Sequence, residues 1–266
     1  MKKYKGRLAM VTGAGDGIGA MLARRLAKVG MIVCVQDIRA DAAAAVAEEI
    51  GGDAFPLVFD VSHRDEAMKA AEALSERGDP LSVLWINAGA GVASGLLEGR
   101  PDTVEWAYSV NVLGLLWTAQ AFVPMMADET GPRHVGFTAS TASLFSADGP
   151  YPLYAVTKQA AFGLAEGLGP ELAAKGIEST LLCPGFLNTN IWDGARARPE
   201  RFGGPKHMDP AIAGPWRASK SPDVMWPAIE HSMMNGGGVL VCTTKDETPD
   251  VIRTHTDSIN AAIIRV

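Results

Sequence analysis

Residues 12–19 read Thr-Gly-Ala-Gly-Asp-Gly-Ile-Gly, and they follow directly on the short apolar segment 8–11. Glycines let a backbone turn tightly and approach a ligand closely, and the free N–H groups at the start of a helix attract phosphate. A glycine-rich turn between a first strand and a first helix is therefore typical of a fold that binds a dinucleotide. The same residues could also form a plain strand-to-helix turn, so the rest of the chain decides between the two.

Short apolar segments alternate with longer helical patterns along the chain. The predicted strands are 8–12, 31–36, 54–59, 82–86, 134–139, 177–182 and 238–243. The predicted helices are 17–29, 40–50, 64–77, 103–127, 152–174 and 222–235. This alternation predicts an α/β fold, a three-layer doubly wound parallel sheet of about seven strands with helices on both faces. We expect a single dinucleotide-binding domain over 1–266.

Residues 190–220 depart from this rhythm, because they are rich in Pro, Gly, Arg and Trp and show no sustained periodicity. An irregular segment of this length inside a compact domain is usually functional or disordered. We call 190–220 the lid segment and expect it to cover a substrate pocket with four large apolar side chains, those of Trp192, Phe202, Met208 and Trp216. A surface loop without that role is the alternative. Residues 245–266 are expected to form a C-terminal tail.

The charge and the apolar pattern of the chain argue against two classes of partner. The 266 residues carry a net charge of -6 with a pI near 5.4, whereas nucleic-acid-binding proteins usually present a basic face. A membrane span needs about 20 predominantly apolar residues. The longest apolar stretch, 110–127, is interrupted by Asn111, Gly114, Gln120 and Pro124. We therefore expect a buried helix at this stretch, no nucleic-acid partner and no membrane contact.

The cysteines and histidines give no sign of a metal site. The three cysteines lie far apart, without the paired spacing of zinc ligands, at Cys34, Cys183 and Cys242. The five histidines share no ligand spacing either. Cys34 and Cys242 fall in apolar segments that we interpret as buried strands, where reduced thiols are expected. These features predict no metal and a cytoplasmic location.

An acidic residue ends the second predicted strand. Asp37 lies 18 residues beyond Gly19, close to the position of the carboxylate that binds the ribose hydroxyls of a dinucleotide. Its charge, together with that of Asp16, would repel a 2′-phosphate, whereas Arg39 could attract one. Two carboxylates against one arginine favour NAD over NADP, which stays the alternative. Asp37 could also serve only as a helix cap.

Tyr154 and Lys158 lie four residues apart in the predicted helix 152–174, so their side chains share one face of that helix. A nearby cation favours phenolate over phenol, so we expect Lys158 to lower the pKa of Tyr154 from about 10. A tyrosine with a lowered pKa suits general acid–base catalysis on alcohols and ketones. The pair alone is a weak signal, since chance can supply this spacing.

Taken together, these features resemble the short-chain dehydrogenase/reductase family from about Leu8 to Thr189. The matching residues are, in chain order, Thr12-Gly13-(x)3-Gly17-x-Gly19, Asp60-Val61, Asn87-Ala88-Gly89, Asn111, Ser140, Tyr154 with Lys158, and the stretch 184–189 with the sequence Pro-Gly-Phe-Leu-Asn-Thr. Two positions depart from the family pattern. Ile86 replaces the first residue of the family's Asn-Asn-Ala-Gly, and the usual Val-Asp-Gly-Gly ending is absent, with Gly-Gly-Gly at 236–238.

The resemblance implies a catalytic group made of Asn111, Ser140, Tyr154 and Lys158. Tyr154 would exchange a proton with the substrate oxygen, and Ser140 would donate a hydrogen bond to it. Lys158 would lower the pKa of Tyr154 and bind the nicotinamide ribose, while Asn111 would hold a water that links Lys158 to solvent. Several hydroxyls lie near Ser140, and only the alignment of 139–144 on the family's Ser-Ser-x-Ala-Gly-Leu selects it.

The resemblance also implies a set of cofactor-binding residues and an assembly. The set comprises Gly13, Gly15, Asp16, Gly17, Ile18, Gly19, Asp37, Asp60, Val61, Asn87, Ala88, Gly89, Tyr154, Lys158, Pro184, Gly185, Leu187 and Thr189. Within it, Asp60 and Val61 would hold the adenine ring, and Thr189 would bind the nicotinamide carboxamide. Family members usually assemble through their two long central helices, so we expect a homodimer or homotetramer.

The sequence thus predicts an oxidoreductase that transfers a hydride between NAD and a secondary alcohol or ketone. The tryptophans of the lid segment favour a bulky apolar or aromatic substrate. An NADP-dependent carbonyl reductase is the enzyme alternative. A dinucleotide-binding scaffold or regulator without turnover is the alternative from a different functional class.

Overall fold

The predicted strands form one seven-stranded sheet in a computed structural model that describes residues 1–127, 130–145, 151–243 and 248–261. The strands are β1 Leu8–Val11, β2 Ile32–Asp37, β3 Phe55–Val58, β4 Leu81–Ile86, β5 His134–Thr138, β6 Glu178–Pro184 and β7 Gly237–Cys242. All neighbours pair in parallel, in the order β3-β2-β1-β4-β5-β6-β7. The order reverses between β1 and β4, and ligands of doubly wound sheets bind at the carboxyl ends of strands beside such a reversal. The predicted fold class is confirmed.

The helices of the described residues are α1 Gly17–Lys28, α2 Ala40–Ile50, α3 Arg64–Ser75, α4 Pro101–Tyr108, α5 Gly114–Ala127, α6 Pro152–Ala174, α7 Gly214–Arg217, α8 Trp226–Met234 and α9 Thr248–Ala261. The predicted helix 103–127 is two helices, because a π-helical turn, Ser109–Leu113, separates α4 from α5. The predicted tail contains α9, a helix that the sequence patterns did not predict. Residues 245–247 and 262–266 of that tail lie outside the described residues.

Alternate side chains of the central strands point to two separate cores. Leu8 and Met10 of β1 pack with α3, α5 and α6, whereas Ala9 and Val11 pack with α1, α2 and α8. All four β1 residues are fully buried, as expected for a parallel strand covered on both faces. The three layers hold the carboxyl ends of the strands in fixed relative positions.

One contact in this core leaves no room for a side chain. A Cβ added to Gly136 of β5 would lie 2.6 Å from Cε2 of Trp85 on the neighbouring β4. Trp85 is completely buried, and its indole Nε1 donates a 3.0 Å hydrogen bond to Thr138 Oγ1. Gly136 therefore fixes the spacing of β4 and β5 next to the carboxyl edge of the sheet.

The lid segment is built mainly of short 3-10 turns, Ile191–Ala197, Glu200–Phe202 and Pro210–Ala213, followed by α7. Phe202 is buried in a third apolar cluster with Trp106 and Leu153. This contact corrects the prediction that Phe202 lines a pocket, because its ring anchors the segment to α4 and α6 instead. The segment crosses the carboxyl edge of the sheet.

Within the described residues, the continuous helical run Pro101–Ala127 is long and apolar enough to cross a membrane by length and composition. Less than half of its most apolar window, 44%, is buried inside the fold, and core helices of soluble proteins pass the same test. The absence of membrane contact stays a prediction.

Candidate active site

The glycine-rich turn brings the start of α1 close to the loop that follows β4. Gly13 has a φ of +61°, and a Cβ there would lie 2.8 Å from the Cα of Ala88. A Cβ on Gly19 would overlap the carbonyl of Gly13 and lie 2.7 Å from Asn87 Nδ2. Both positions therefore require glycine. The turn is also closed by Asp16, whose Oδ1 accepts a 2.6 Å hydrogen bond from the Gly17 amide and caps α1.

Thr12 ties this turn to the Asn87-Ala88-Gly89 loop. Its Oγ1 accepts hydrogen bonds from the amides of Asn87 at 2.9 Å and Ala88 at 3.0 Å. Asn87 Nδ2 donates in return to the Thr12 carbonyl at 3.0 Å. The glycine motif includes Thr12, but the sequence analysis assigns it no role. Its position at the end of β1, where the strand order reverses, is the signal that could have indicated this role. Ile86 lies buried in the core just before this loop.

Asp37 lies at the carboxyl end of β2 and is 6% exposed. Its Oδ2 accepts a 3.0 Å hydrogen bond from the Gly15 amide, and its Oδ1 accepts one of 2.9 Å from the Arg39 amide. The Arg39 Nε lies 3.4 Å from the same Oδ1. The carboxylate thus joins the glycine-rich turn to β2, with a cation beside it.

The second carboxylate in the charge argument, that of Asp16, is also paired. Its Oδ2 accepts hydrogen bonds from Arg196 Nη2 at 2.7 Å and from Asn190 Nδ2 at 2.9 Å. The sequence argument set two carboxylates against one arginine and left out Arg196. With Asp37 beside Arg39 and Asp16 beside Arg196, that count is wrong and favours neither NAD nor NADP.

The residues predicted to hold adenine lie apart from the others. Asp60 Oδ1 accepts hydrogen bonds from the amide and hydroxyl of Ser62, and its Oδ2 accepts one of 2.8 Å from Arg201 of the lid segment. Asp60 and Val61 line a small cavity of about 100 Å³ that Ala197 and Pro199 also border. Ligand pockets usually measure about 300–1,000 Å³. In this structure the lid segment closes the predicted adenine position.

Most of the other predicted residues meet in one large cavity of about 770 Å³ at the carboxyl edge of the sheet. Its walls include Asp16, Gly17, Ile18, Asp37, Asn87, Gly89, Ser140, Tyr154, Lys158, Pro184, Gly185, Leu187 and Thr189. Gly13 and Ala88 border only the small cavity, while Gly15, Gly19 and Asn111 line neither. The structure therefore joins the start of α1, the end of β2 and the Tyr154 region along one continuous wall.

Lys158 is a buried cation in this wall, with 4% of its surface exposed. Its Nζ donates a 3.1 Å hydrogen bond to the Thr138 carbonyl and lies 5.9 Å from the centre of the Tyr154 ring. A Cβ on Gly89 would lie 3.1 Å from this Nζ, so the loop after β4 packs directly on the lysine. Burial lowers the pKa of Lys158 to about 8, since desolvation disfavours the charged form.

The pKa of Tyr154 differs from the sequence prediction. Burial raises the pKa of Tyr154 above its usual value, and a hydrogen bond with Ser140 acts in the lowering direction. The prediction of a lowered pKa is therefore wrong for this structure, because desolvation of the buried phenol outweighs the hydrogen bond with Ser140.

Ser140 follows β5 and lies between the sheet and the Tyr154 helix. Its Oγ accepts a 3.2 Å hydrogen bond from the Ala142 amide and lies 3.5 Å from the Pro184 carbonyl. Of the neighbouring hydroxyls, Thr138 Oγ1 accepts from the indole of Trp85, and Ser143 Oγ donates to the carbonyl of Lys158 at 2.8 Å. The geometry agrees with the selection of Ser140, since it also bonds with Tyr154 at the cavity wall.

Asn111 lies in the π-helical turn, and π turns frequently mark functional positions. Its Oδ1 accepts from the Ala90 amide at 2.8 Å, and its Nδ2 donates to the Ala90 carbonyl and to Thr157 Oγ1, both at 3.0 Å. The side-chain amide therefore clamps the loop after β4 to α6, beside Lys158. The side-chain bonds in the structure are all to protein groups, and the water-holding role of Asn111 stays a prediction.

The rest of the cavity is apolar and aromatic. Trp192, Met208 and Trp216 of the lid segment line it as predicted. The Trp216 ring lies 6.0 Å from Tyr151 and 5.5 Å from Phe186, measured between ring centres. Sequence reasoning missed these two partners, and it also missed Val251 of α9, which reaches the same wall. For Tyr151 and Phe186, an aromatic side chain next to the predicted helix 152–174 or within the stretch 184–189 was the available signal.

Comparison with known proteins finds relatives that match most of this chain. Estradiol 17-beta-dehydrogenase 11 of Mus musculus is 34% identical over 197 residues, covering 71% of this chain and 65% of that protein. Epidermal retinol dehydrogenase 2 of Mus musculus is 31% identical over 205 residues, covering 74% of this chain and 65% of that protein. The chain thus spans slightly less than two thirds of the length of these relatives.

Solved structures share the whole fold. A short chain dehydrogenase/reductase from Burkholderia phymatum in complex with NAD is 25% identical, with a TM-score of 0.88 over 100% of this chain and 98% of that chain. A 3-ketoacyl-(acyl-carrier-protein) reductase from Brucella melitensis complexed with NADH is also 25% identical, with a TM-score of 0.74 over 89% and 96%. The short chain dehydrogenase family model matches residues 7–200, a span that holds every predicted catalytic and cofactor-binding residue. The chain belongs to the short-chain dehydrogenase family.

Proposed function

We propose that the chain is an oxidoreductase that transfers a hydride between NAD and a secondary alcohol or ketone. One observation carries the proposal: Ser140, Tyr154 and Lys158 share a cavity with the start of α1. At one end of the cavity, the Tyr154 hydroxyl can donate or accept a proton beside the Ser140 hydroxyl and the Lys158 ammonium. At the other end, the N–H groups at the start of α1 can bind a pyrophosphate. The names of the relatives support an alcohol substrate, since they describe an estradiol dehydrogenase and a retinol dehydrogenase.

The residues present fit a dinucleotide along most of its length. Gly19 has no Cβ, so the turn can pack closely at this position. Gly17 and Ile18 line the cavity, so the start of α1 faces it. These would hold the pyrophosphate, Asp37 would bind the ribose hydroxyls, and Thr189 would bind the nicotinamide. When bound, the cofactor supplies the hydride acceptor or donor. The NAD in the Burkholderia phymatum structure supports NAD over NADP.

The proton chemistry would belong to three side chains. Tyr154 would donate a proton to a ketone oxygen, or accept one from an alcohol, while the Ser140 hydroxyl would donate a hydrogen bond to the same oxygen. Because its pKa is raised, Tyr154 is protonated near neutral pH, which is the form that ketone reduction needs. Lys158 would bond the nicotinamide ribose. The side chains around Trp216 would hold a bulky apolar or aromatic substrate and exclude water.

The test is a screen of secondary alcohols with NAD, followed by removal of the Tyr154 hydroxyl. Tyr154→Phe should lower kcat by about 10²–10⁴-fold on any accepted alcohol, the usual contribution of general acid–base catalysis. Tyr4→Phe is the matched control. Tyr4 is also buried but does not line the cavity, and its hydroxyl has no hydrogen-bond partner in the described residues. Full activity of Tyr154→Phe on an identified substrate would contradict the proposed mechanism.

An NADP-dependent carbonyl reductase is the second candidate, because Arg39 lines the cavity next to Asp37 and can reach a 2′-phosphate. Comparing NADH and NADPH as reductants, in the native chain and in Asp37→Ala, separates the two. An NAD enzyme should lose its preference for NADH in that variant. A native preference for NADPH would decide for the alternative.

A scaffold or regulator would bind the dinucleotide without turnover of any substrate in the screen.

We further propose a homodimer or homotetramer in the cytoplasm. The three cysteines are free thiols, which supports a reducing compartment. Light scattering gives the assembly, and fractionation of source cells gives the location.

A further inference from the structure

Thr157 is a completely buried hydroxyl residue in α6, placed between Tyr154 and Lys158. Its Oγ1 donates a 2.8 Å hydrogen bond to the carbonyl of Tyr154. The same oxygen accepts a 3.0 Å hydrogen bond from Asn111 Nδ2. A hydroxyl has one proton to donate and two lone pairs to accept, so both bonds can be made at once. Thr157 therefore joins the π-helical turn to the helix that carries Tyr154 and Lys158.

The second bond separates Thr157 from an ordinary helical threonine. Threonines inside helices commonly donate to a carbonyl one turn earlier, so that bond alone indicates no function. Thr118 of α5 shows the common case: it is buried, and its Oγ1 donates to the Gly114 carbonyl at 2.6 Å. The bond between Thr157 and Asn111 instead spans 46 residues. Local helix stability does not explain it.

Asn111 carries the connection from Thr157 to the loop after β4. Its Nδ2 and Oδ1 bond to the carbonyl and the amide of Ala90. The neighbouring Gly89 packs on Lys158, since a Cβ there would lie 3.1 Å from Nζ and 3.3 Å from Asn111 Oδ1. Lys158 follows Thr157 directly in the chain, so these contacts form a closed ring beside the ammonium.

The other neighbours of the ammonium lie on β5, β6 and α6. Nζ donates to the Thr138 carbonyl, and the Tyr154 ring lies 5.9 Å away. The Cys183 thiol of β6 is the other titratable group near it, and burial raises the pKa of this thiol to about 12. Among the described residues, no carboxylate forms an ion pair with Nζ. The lowered pKa of Lys158 therefore depends on the exclusion of water.

Removal of the Thr157 hydroxyl would leave one N–H of Asn111 buried without an acceptor. Such groups are rare and costly, so the amide or the loop after β4 would move until water supplied a partner. Either movement would loosen the packing of Gly89 on Lys158. Water that reaches the ammonium would solvate its charged form and raise its pKa towards 10.5.

We propose that Thr157 is a positioning residue, whose hydroxyl holds the Asn111 amide and the loop after β4 closed against the ammonium of Lys158. Its effect on hydride transfer rests on the proposed function, whereas the closure stands on the bonds of Thr157 and Asn111. Thr157 lines neither cavity, so it acts through its neighbours. A fixed ammonium would bond the nicotinamide ribose next to Tyr154.

The first test is a pH titration of the lysine Cε signals by NMR, in the full chain without cofactor. The Lys158 signal is assigned by its loss in Lys158→Met and should titrate near pH 8 in the native protein. Thr157→Val keeps the shape of the side chain without the hydroxyl, and should raise this midpoint by at least about half a pH unit. Thr157→Ser keeps the hydroxyl and should stay close to the native midpoint.

Thr118→Val is the matched control, since it removes a buried hydroxyl with the same helical back-bond away from the cavity. It should leave the Lys158 midpoint unchanged. An unchanged midpoint in Thr157→Val would overturn the proposal, and so would an equal shift in Thr157→Ser. A native midpoint near 10.5 would also overturn it, because the ammonium would then be open to water.

A measurement on the native protein covers the case in which Thr157→Val does not fold. Both Nδ2 protons of Asn111 are bonded inside the fold, so they should exchange slowly with solvent. The exposed side-chain amide of Asn260 gives the fast reference. Exchange of the Asn111 protons at the rate of Asn260 would overturn the proposal.

The activity arm uses an alcohol that the native protein oxidises with NAD. Thr157→Val should lower kcat by about tenfold or more with a KM within about twofold, because the substrate pocket is intact and the proton-transfer groups are displaced. Thr157→Ser should restore most of the rate, and Thr118→Val should keep it. An unchanged kcat in Thr157→Val overturns the positioning role and leaves the dehydrogenase function standing. A shifted Lys158 midpoint without turnover of any alcohol supports the positioning role and counts against the proposed function, so the two failures are distinguishable.

Discussion

Replacement of Lys158 by methionine should make the protein more stable at neutral pH while it removes activity. The ammonium is buried, and burial lowers its pKa from 10.5 to about 8. A shift of about 2.5 units corresponds to about 3 kcal/mol at about 1.4 kcal/mol per unit. Below pH 8 the folded protein holds a buried charge, and this contribution opposes folding.

The sign of the pH dependence follows from proton linkage. Between the folded pKa near 8 and the unfolded value of 10.5, the unfolded state binds more protons, so the stability contributed by Lys158 rises with pH. The penalty of about 3 kcal/mol at pH 7 should fall by about 2 kcal/mol at pH 9.5. The hydrogen bond to the Thr138 carbonyl opposes the gain from its removal, since bonds of charged donors contribute about 1.5–3 kcal/mol. The pH dependence of the difference is therefore the sharper quantity.

Urea denaturation of the native protein and Lys158→Met at pH 7 and pH 9.5 measures this difference. The stability of the variant relative to the native protein should decrease by about 2 kcal/mol between the two pH values. Lys175→Met, at the exposed end of α6, is the control for losing a surface lysine and should change stability by no more than about 0.5 kcal/mol. A difference independent of pH would refute the assigned cause, desolvation of Lys158.

Three further perturbations test separate parts of the structure. Gly136→Ala should destabilise the protein by about 1–3 kcal/mol, because its Cβ would press on the buried Trp85 ring; a melting temperature equal to that of the native protein would contradict the packing. The rate of alcohol oxidation should still be rising at about pH 9.5, because the pKa of Tyr154 is raised, and a plateau in the pH–rate profile below pH 8 would contradict this. Arg196→Met should leave the charge of Asp16 unpaired and raise the Kd of NADPH more than that of NADH, which a fluorescence titration measures; an unchanged ratio would exclude that charge from the cofactor choice.

The parts of the fold that short-range patterns encode could be predicted from the sequence. Strand positions follow from apolar runs, and the predicted β1, β4 and β6 differ from the observed bounds by one or two residues. The glycine-rich turn was predictable because its positions have local steric requirements, as Gly13 and Gly19 show. The π turn around Asn111 was not predictable from local sequence, and the side chain it presents is bonded to Ala90, 21 residues away. Helical periodicity runs through such a turn without a visible break.

The errors at the site share one physical origin, which is charge pairing over long sequence separations. Arg196 lies 180 residues from its partner Asp16, and Arg201 lies 141 residues from Asp60. No local pattern indicates either pair, so a count of nearby charges misjudged the cofactor pocket. The pKa of Tyr154 was misjudged for a related reason, because the cation was visible in the sequence and the burial was not.

The floor and the roof of the cavity are held by different forces, and this difference bears on how a ligand enters. The floor consists of backbone turns held by buried hydrogen bonds, such as those of Thr12 and Asn111. Loss of one of these bonds would leave a buried polar group unpaired, which costs about 1–3 kcal/mol of stability. The roof is the lid segment, joined to the glycine-rich turn and to Asp60 by partly exposed ion pairs, a kind of contact that contributes only about 0–1 kcal/mol and is screened by salt. A dinucleotide reaching Asp60 must displace Arg201, which is among the weakest contacts around the cavity. The ion pairs of the roof can therefore break at a lower free-energy cost than the hydrogen bonds of the floor, while the buried Phe202 ring keeps the lid segment attached to α4 and α6.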